Sequence, residues 1–313
     1  MRSVARWIGW PHDPRPTYLR HVPEAPAAVR AEVPVRAFLL GTVCAQVSRH
    51  RATGAQAGES HGRGVVVVTP YFSDAFVDLF LGDCREVMPC VIASADCVVA
   101  DPPYGDTSLE WDVRPTEWLD LLPSQSLWCF GSLRMFMSTG SEFAAADWKL
   151  SQDVIWEKHN GSSFHADRFK RVHEQAVHFY RGAWADVYHE TPKTMDATKN
   201  TVRRKKRPPH MGELGASHYA SDDGGPRLMR SVIYCRSAHG HAVHPTQKPE
   251  GILRPLIEYA CPPDGCVLDP FAGSGSTGMA ARQLGRRSIL IEKDEAYAQA
   301  AAMRLSQLAL EVA

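Results

Sequence analysis

The chain has 313 residues, 44% of them hydrophobic and 22% charged, and its 35 basic and 35 acidic side chains give a formal net charge of zero. This excludes a disordered or fibrous chain, and no apolar run approaches the roughly 18 residues of a membrane span. With no net field towards nucleic acid, any such contact must rest on a local basic patch.

Residues 1–68 are rich in Arg, Pro and Ala and show little periodicity, so they read as a flexible N-terminal extension, with 56–64 (QAGESHGRG) as a linker. The apolar run at 37–46 (AFLLGTVCAQ) follows Pro- and Glu-containing sequence and starts too late for a secretory segment. Eight cysteines (Cys44, Cys84, Cys90, Cys97, Cys129, Cys235, Cys261 and Cys266) include no pair with the spacing of a zinc site. They fit the reduced core thiols of a cytoplasmic protein.

Beyond the extension the pattern tightens. Residues 76–81 read as a strand closing on Gly82-Asp83, and 84–88 as a short helix. The next strand, Val98-Val99-Ala100 with Val91 and Ile92 upstream, runs into Asp101-Pro102-Pro103-Tyr104. Proline fixes φ near −65° and donates no backbone hydrogen bond, and it holds the residue before it extended. The segment is therefore a stiff finger at a strand's carboxyl end, with Tyr104 at its tip. Residues 118–122 read as helical, 126–130 (SLWCF) as a buried strand, 134–148 as a helix, and 154–157 and 174–180 as two further strands.

Residues 184–235 change character. Lys199, Arg203, Arg204, Lys205, Lys206 and Arg207 stand among Gly, Pro, His and Ser without a period, which predicts an inserted loop-rich region. A helix over 250–260, a strand over 266–269, a glycine loop, a helix to 284, a strand over 288–292 and a last helix capped by Asp294 follow. Strands alternating with helices predict an α/β, doubly wound, mostly parallel sheet.

The glycine loop is Asp269-Pro270-Phe271-Ala272-Gly273-Ser274-Gly275-Ser276-Thr277, and Glu292 ends the next strand 19 residues after Gly273. Glycines let the backbone approach a ligand, and an acidic residue at that distance is placed to accept ribose hydroxyls. The loop lacks the Gly-Lys-Ser/Thr of a phosphate-binding turn and departs from GxGxxG. A nicotinamide cofactor stays open on this reading, but Asp269 disfavours a pyrophosphate and suits a positively charged, sulfonium nucleoside.

DPPY at 101–104, HPTQKP at 244–249 and DPFAGSGST at 269–277 together resemble the amino-methyltransferases of DNA, which use S-adenosylmethionine to methylate adenine N6 or cytosine N4. DPPY before the basic insert and FxGxG after it resembles the class β arrangement, over residues 71–182 and 236–313. The resemblance implies a seven-stranded, Rossmann-like methyltransferase sheet, circularly permuted, with an inserted target-recognition region. The glycine-loop strand would lie beside the DPPY strand, and the strand over 288–292 with its helix would lead, across space, into that over 76–81. The implied organisation is an extension at 1–68, a catalytic half at 69–183, a target-recognition insert at 184–235 and a cofactor half at 236–313.

The resemblance also implies roles. Phe271, Gly273 and Gly275 would line the methionine and ribose part of the cofactor, beside Asp269. Glu292 would hold the ribose and Asp83 would lie near the adenine. Thr246, Gln247 and Lys248 would meet the amino acid moiety. Asp101 and the Pro102 carbonyl would accept from the target amine, with Pro103 keeping the turn rigid and Tyr104 stacking on the everted base. Asp at 101, where many cytosine-N4 members carry Ser, favours adenine; cytosine N4 remains the alternative, and a catalytically silent DNA-binding protein of the same fold the second.

Arg203, Arg204, Lys205, Lys206 and Arg207 are expected to meet phosphates of double-stranded DNA, with Arg168, Lys170, Arg171 and Arg181 adding contacts near the mouth. Trp111 and Asp112 are expected to order a lid. A carbon-5 cytosine enzyme would need a Pro-Cys nucleophile, but Pro89-Cys90 lies off the strand end, so Cys90 reads as structural. His239, His241 and His244 lack partner ligands, and no metal is expected. No membrane partner is expected; a homodimer and a restriction partner both stay open.

Overall fold

The computed structural model describes residues 68–91, 95–106, 112–162, 166–167, 169–204, 217–237 and 247–311. The extension expected over 1–68 lies outside them except for Val68, as do Trp111, Arg168, the three histidines at 239, 241 and 244, Thr246, and Lys205, Lys206 and Arg207.

In chain order the elements begin with β1 (Phe72–Ser73), β2 (Val77–Leu81), α1 (Cys84–Val91), β3 (Cys97–Ala100), a 3-10 turn (Leu119–Leu121), β4 (Ser126–Gly131) and α2 (Leu133–Ala145). There follow β5 (Lys149–Ser162), β6 (Arg171–Tyr180), a second 3-10 turn (Trp184–Asp186), β7 (Lys193–Thr194), β8 (Asn200–Arg204), β9 (Ser217–Ser221) and β10 (Arg227–Leu228). The chain continues through β11 (Val232–Tyr234), α3 (Glu250–Ala260), β12 (Cys266–Asp269), α4 (Ser276–Gln283), β13 (Arg287–Glu292) and α5 (Glu295–Glu311). None of the described helices is long and apolar enough to cross a membrane.

The chain divides into two units, the smaller of which includes residues 193–229. The larger is built on one sheet of order β1-β2-β13-β12-β3-β4-β6-β5-β11. The expected seven-stranded frame is β2 to β5 in that order, and the short strands β1 and β11 extend it at either edge. β2, β13, β12, β3 and β4 run parallel, and β6 is antiparallel to both β4 and β5. The middle of the sheet is covered on both faces, so β3 is apolar and buried at every residue. Phe80, Val98, Leu127 and Leu268 join one core cluster, while Val99, Trp128, Ile252 and Val267 join another.

The permuted order is explicit in the pairing. Leu268 of β12 pairs with Val98 of β3, and Ile291 and Glu292 of β13 pair with Phe80 and Leu81 of β2. The carboxyl ends of four parallel strands thus meet at one edge, where open α/β sheets bind ligands.

Several sequence expectations need correction. Val91 closes α1 instead of opening the following strand, and Ile92 lies outside the described residues. The helix expected over 134–148 stops at Ala145, because Asp147 turns the chain with φ 58°. The strands expected over 154–157 and 174–180 are parts of a longer antiparallel pair, the first in the middle of β5 and the second the carboxyl-terminal part of β6. Their polar ends looked like loop in sequence, yet the hairpin satisfies the backbone there irrespective of side chain. The smaller unit, read as loop-rich, carries two antiparallel pairs, β7 with β10 and β8 with β9. Asp196 pins it by accepting from Arg227 Nε at 2.7 Å and Nη2 at 2.6 Å.

Candidate active site

Local sequence chemistry sets the loop that follows β12. Gly275 precedes α4 at φ 73°, a conformation costly for other residues, and an added Cβ would lie 3.2 Å from that of Ala301 on α5. Gly275 therefore serves close packing against α5, and it is absent from the cavity wall where it was expected. Gly273, at φ 51°, does line the cavity.

Asp269 is buried beneath this loop. Its carboxylate accepts from the Phe271 amide at 2.9 Å and the Thr277 hydroxyl at 2.6 Å. Burial pushes the acid up to about 7, against the two hydrogen bonds, and the negative charges of Asp101 and Glu292 add to the rise. Glu292, at the tip of β13, accepts from the Gly273 amide at 2.7 Å and the Asp294 amide at 2.8 Å. Burial raises its carboxyl as well. Phe271 is held edge-on against the Trp118 ring, with centroids 5.1 Å apart.

At the tip of β2, Asp83 accepts from Arg85 Nε at 2.9 Å and Nη2 at 2.7 Å, and from Lys293 Nζ at 3.3 Å. The Arg85 hydrogen bonds hold its carboxyl well below the usual carboxylate range, despite partial burial.

After β3 the chain delivers Asp101, a buried Pro102, Pro103 and Tyr104. The Tyr104 hydroxyl donates to Asp101 Oδ1 at 2.7 Å, which fixes the ring's direction. Burial, with the charges of Asp101 and Glu174, pushes the phenol far above its usual range. Asp112, expected in a lid, is buried and accepts from the Gly105 amide at 2.9 Å, bracing the end of the finger.

Lys248 lines the cavity and makes contacts the sequence did not announce. Its buried ammonium forms an ion pair with Asp101 Oδ2 and lies 3.4 Å from Glu174 Oε2. Glu174 in turn pairs with Lys158. Gln247 also lines the cavity. Glu174 and Lys158 escaped the sequence reading because only the β5–β6 hairpin, with Trp156 opposite Glu174, brings them to the site.

These residues share one cavity of about 870 Å³. Asp83, Asp269, Phe271, Gly273 and Glu292 line one part; Asp101, Pro102, Pro103, Tyr104, Gln247 and Lys248 line another. The volume lies within the range of small-molecule sites, roughly 300–1,000 Å³. Carboxylates with backbone N–H groups and an aromatic ring suit a cationic nucleoside with hydroxyl donors. Cys90 does not line the cavity and sits within α1, as a structural thiol should. Among the described residues no cluster of side chains could hold a metal ion.

The residues expected to contact phosphates fare differently. Arg181 is spent on structure: Nε donates to the Ala146 carbonyl at 2.9 Å, Nη2 to that of Leu119 at 2.8 Å, and the guanidinium lies 4.2 Å from the Trp148 ring centre. Lys170 and Arg171 are exposed. In the smaller unit Arg203 is exposed on β8, opposite His218 of β9; Arg204 ends that strand.

Residues 95–303 match a family model described as DNA methylase, for N6 and N4 methyltransferases. The chain is 27% identical over 269 residues to the Type II methyltransferase M.HinfI of Haemophilus influenzae, covering 75% of this chain and 70% of that one. It is 27% identical over 278 residues to the Type II methyltransferase M2.LlaDCHI of Lactococcus lactis subsp. cremoris, covering 78% and 94%. Among solved structures, the M1.HpyAVI–SAM complex aligns with a TM-score of 0.51 at 22% identity, covering 73% of this chain and 99% of that one. The cytosine-N4-specific PvuII DNA methyltransferase aligns with a TM-score of 0.55 at 15% identity, covering 76% and 89%. These structural likenesses speak to the fold.

Proposed function

The chain belongs to the N6/N4 family of DNA methylases, and from that premise we propose that it moves a methyl group from S-adenosylmethionine to the N6 amine of adenine in double-stranded DNA. The observation that carries the reading is the shared cavity of the DPPY finger and the glycine loop.

S-adenosylmethionine supplies a methyl on a sulfonium, whose electron pair stays with sulfur as the methyl goes to nitrogen and the amine gives up one proton. Glu292 would hold the ribose hydroxyls on the lone pairs its two backbone contacts leave over. Phe271 and Gly273 would wall the methionine and ribose part, Asp83 would face the adenine, and Gln247 the amino acid end. The negative charge gathered around Asp269 and Glu292 suits a cation.

An exocyclic amine is a poor nucleophile because its lone pair is delocalised into the ring. Asp101 and the Pro102 carbonyl would accept its hydrogen bonds and draw electron density towards the nitrogen, and Asp101 is the nearest acceptor for the released proton. The finger lies inside a cavity, so the base must leave the duplex to reach it. Tyr104, tied by its hydroxyl, would offer a ring face, and base–aromatic stacking is worth roughly 1–3 kcal/mol. Arg203 and the basic run after it would supply phosphate contacts.

Adenine is favoured by Asp at position 101. The test is a labelled-methyl assay on DNA followed by nucleoside analysis. N6-methyladenine is the expected product; N4-methylcytosine alone would end the adenine reading.

A further inference from the structure

Both carboxylate oxygens of Asp101 carry a partner within the protein. Oδ1 takes the Tyr104 hydroxyl at 2.7 Å, and Oδ2 takes the Lys248 ammonium. An ammonium in contact neutralises the charge that makes a carboxylate a strong acceptor. The target amine therefore meets an acceptor already blunted by the protein's own cation.

A second seat lies beside it. Glu174 Oε2 is buried, has no hydrogen-bond partner among the described residues, and lies 3.4 Å from the same ammonium. That contact is an ion pair longer than the one Lys248 makes with Asp101, so Glu174 is a second, weaker-held acceptor for the same ammonium. The other oxygen of Glu174 is taken by Lys158, which also lies 4.6 Å from the Trp156 ring centre. The rings of Phe130 and Tyr104, 5.1 and 5.9 Å from the Lys248 nitrogen, flank the ammonium between its two acceptors.

We propose that Glu174 is a positioning residue for methyl transfer: it draws the Lys248 ammonium away from Asp101 when the target amine arrives, so that Asp101 receives the amine with its charge restored. Lys158 holds Glu174 in place and shares its charge, keeping the draw on Lys248 incomplete until the amine enters. Burial alone would discharge Lys248, but Asp101 and Glu174 outweigh it and keep it protonated in either seat. Burial alone would likewise raise Glu174; Lys248 and Lys158 outweigh it and hold the acid at about 2. The inference rests on the amino-methyltransferase reading and is indifferent to which base carries the amine.

The test replaces Glu174 by Gln, which keeps the size and removes the charge, and measures single-turnover transfer with protein, DNA and S-adenosylmethionine premixed. Cofactor affinity is read separately by tryptophan fluorescence. The expected result is a tenfold or greater fall in the transfer rate, with cofactor affinity within threefold of the parent. In a Lys248→Met background, Glu174→Gln should cost less than a further twofold, because no ammonium remains to be moved. A transfer rate equal to the parent's overturns the proposal. So does a parallel loss of cofactor affinity, or an undiminished loss in the Lys248→Met background, since either describes a merely structural carboxylate. Nucleoside analysis in the same reactions keeps the two readings apart. N4-methylcytosine as sole product ends the adenine assignment and leaves the Glu174 comparison standing.

Discussion

Gly273 donates its amide hydrogen to a carboxylate oxygen of Glu292 at 2.7 Å, so the glycine loop and the tip of the neighbouring strand are joined before any ligand arrives. The other oxygen of the same carboxylate receives the Asp294 amide at the start of α5. One side chain thus sets the loop, the strand end and the helix entrance relative to each other.

Glu292→Ala should weaken cofactor binding by about 10- to 100-fold, the loss expected for hydrogen bonds to a charged group worth about 1.5–3 kcal/mol. Calorimetric titration with S-adenosylmethionine reads it. Glu292→Gln should lose less, since the amide oxygen can still accept one of the two backbone N–H groups. Unchanged affinity in the Ala variant would remove Glu292 from the cofactor site.

Asp101→Ala should abolish transfer, by about a thousandfold or more on the scale of a lost electrostatic contact in a reacting site, while cofactor affinity stays close to the parent's. Labelled-methyl incorporation and titration separate the two. Retained activity refutes the role given to the finger.

Asp269 gives a pH prediction. Burial raises its carboxyl from 3.8 to about 7, so between those values the folded protein holds a proton that the unfolded chain has lost. Its contribution to stability is complete below the unfolded value and declines as pH rises through about 7. Urea unfolding at pH 5 and pH 8 should show a smaller decline for Asp269→Asn than for the parent. Equal declines would mean that the buried acid is not protonated in the fold. Glu174 works in the opposite sense: its contribution disappears as pH falls towards about 2, outside that window.

Arg203→Ala should weaken DNA binding nearly uniformly across sequences and reduce the salt slope by about 1, the signature of one phosphate contact. Fluorescence anisotropy at several salt concentrations measures the slope. A loss confined to one sequence would make Arg203 a reader of bases instead.

Much of this architecture could be read from the letters. The strands over β3, β12 and β13 are short apolar runs that lead into Asp or Glu, and their alternation with helices marks the fold class, while the placing of β12 beside β3 came from the family resemblance. Loop and finger were visible because Pro and Gly impose backbone geometry locally. The contact of Lys248 with Asp101 was not legible, because it spans 147 positions and depends on the stacking of strands. Glu174 carried no mark at all: a Glu in a strand of mixed polarity looks solvated until the hairpin turns it inward. Arg181 shows the reverse error, a cation expected to face phosphate that instead ties down three carbonyls.

The pairing of β13 with β2, and of β12 with β3, also bears on how the protein is made. The two strands that fill the middle of the sheet, β12 and β13, come long after β2 and β3 in the chain, so β2 and β3 wait with bare edges until residues 266–292 have been synthesised. Long-range parallel pairing is slow to form, and unpaired edges invite association with other chains. Nascent chains stalled before residue 266 should therefore be protease-sensitive and bound by chaperones, and should mature only once the β12–α4–β13 segment has emerged.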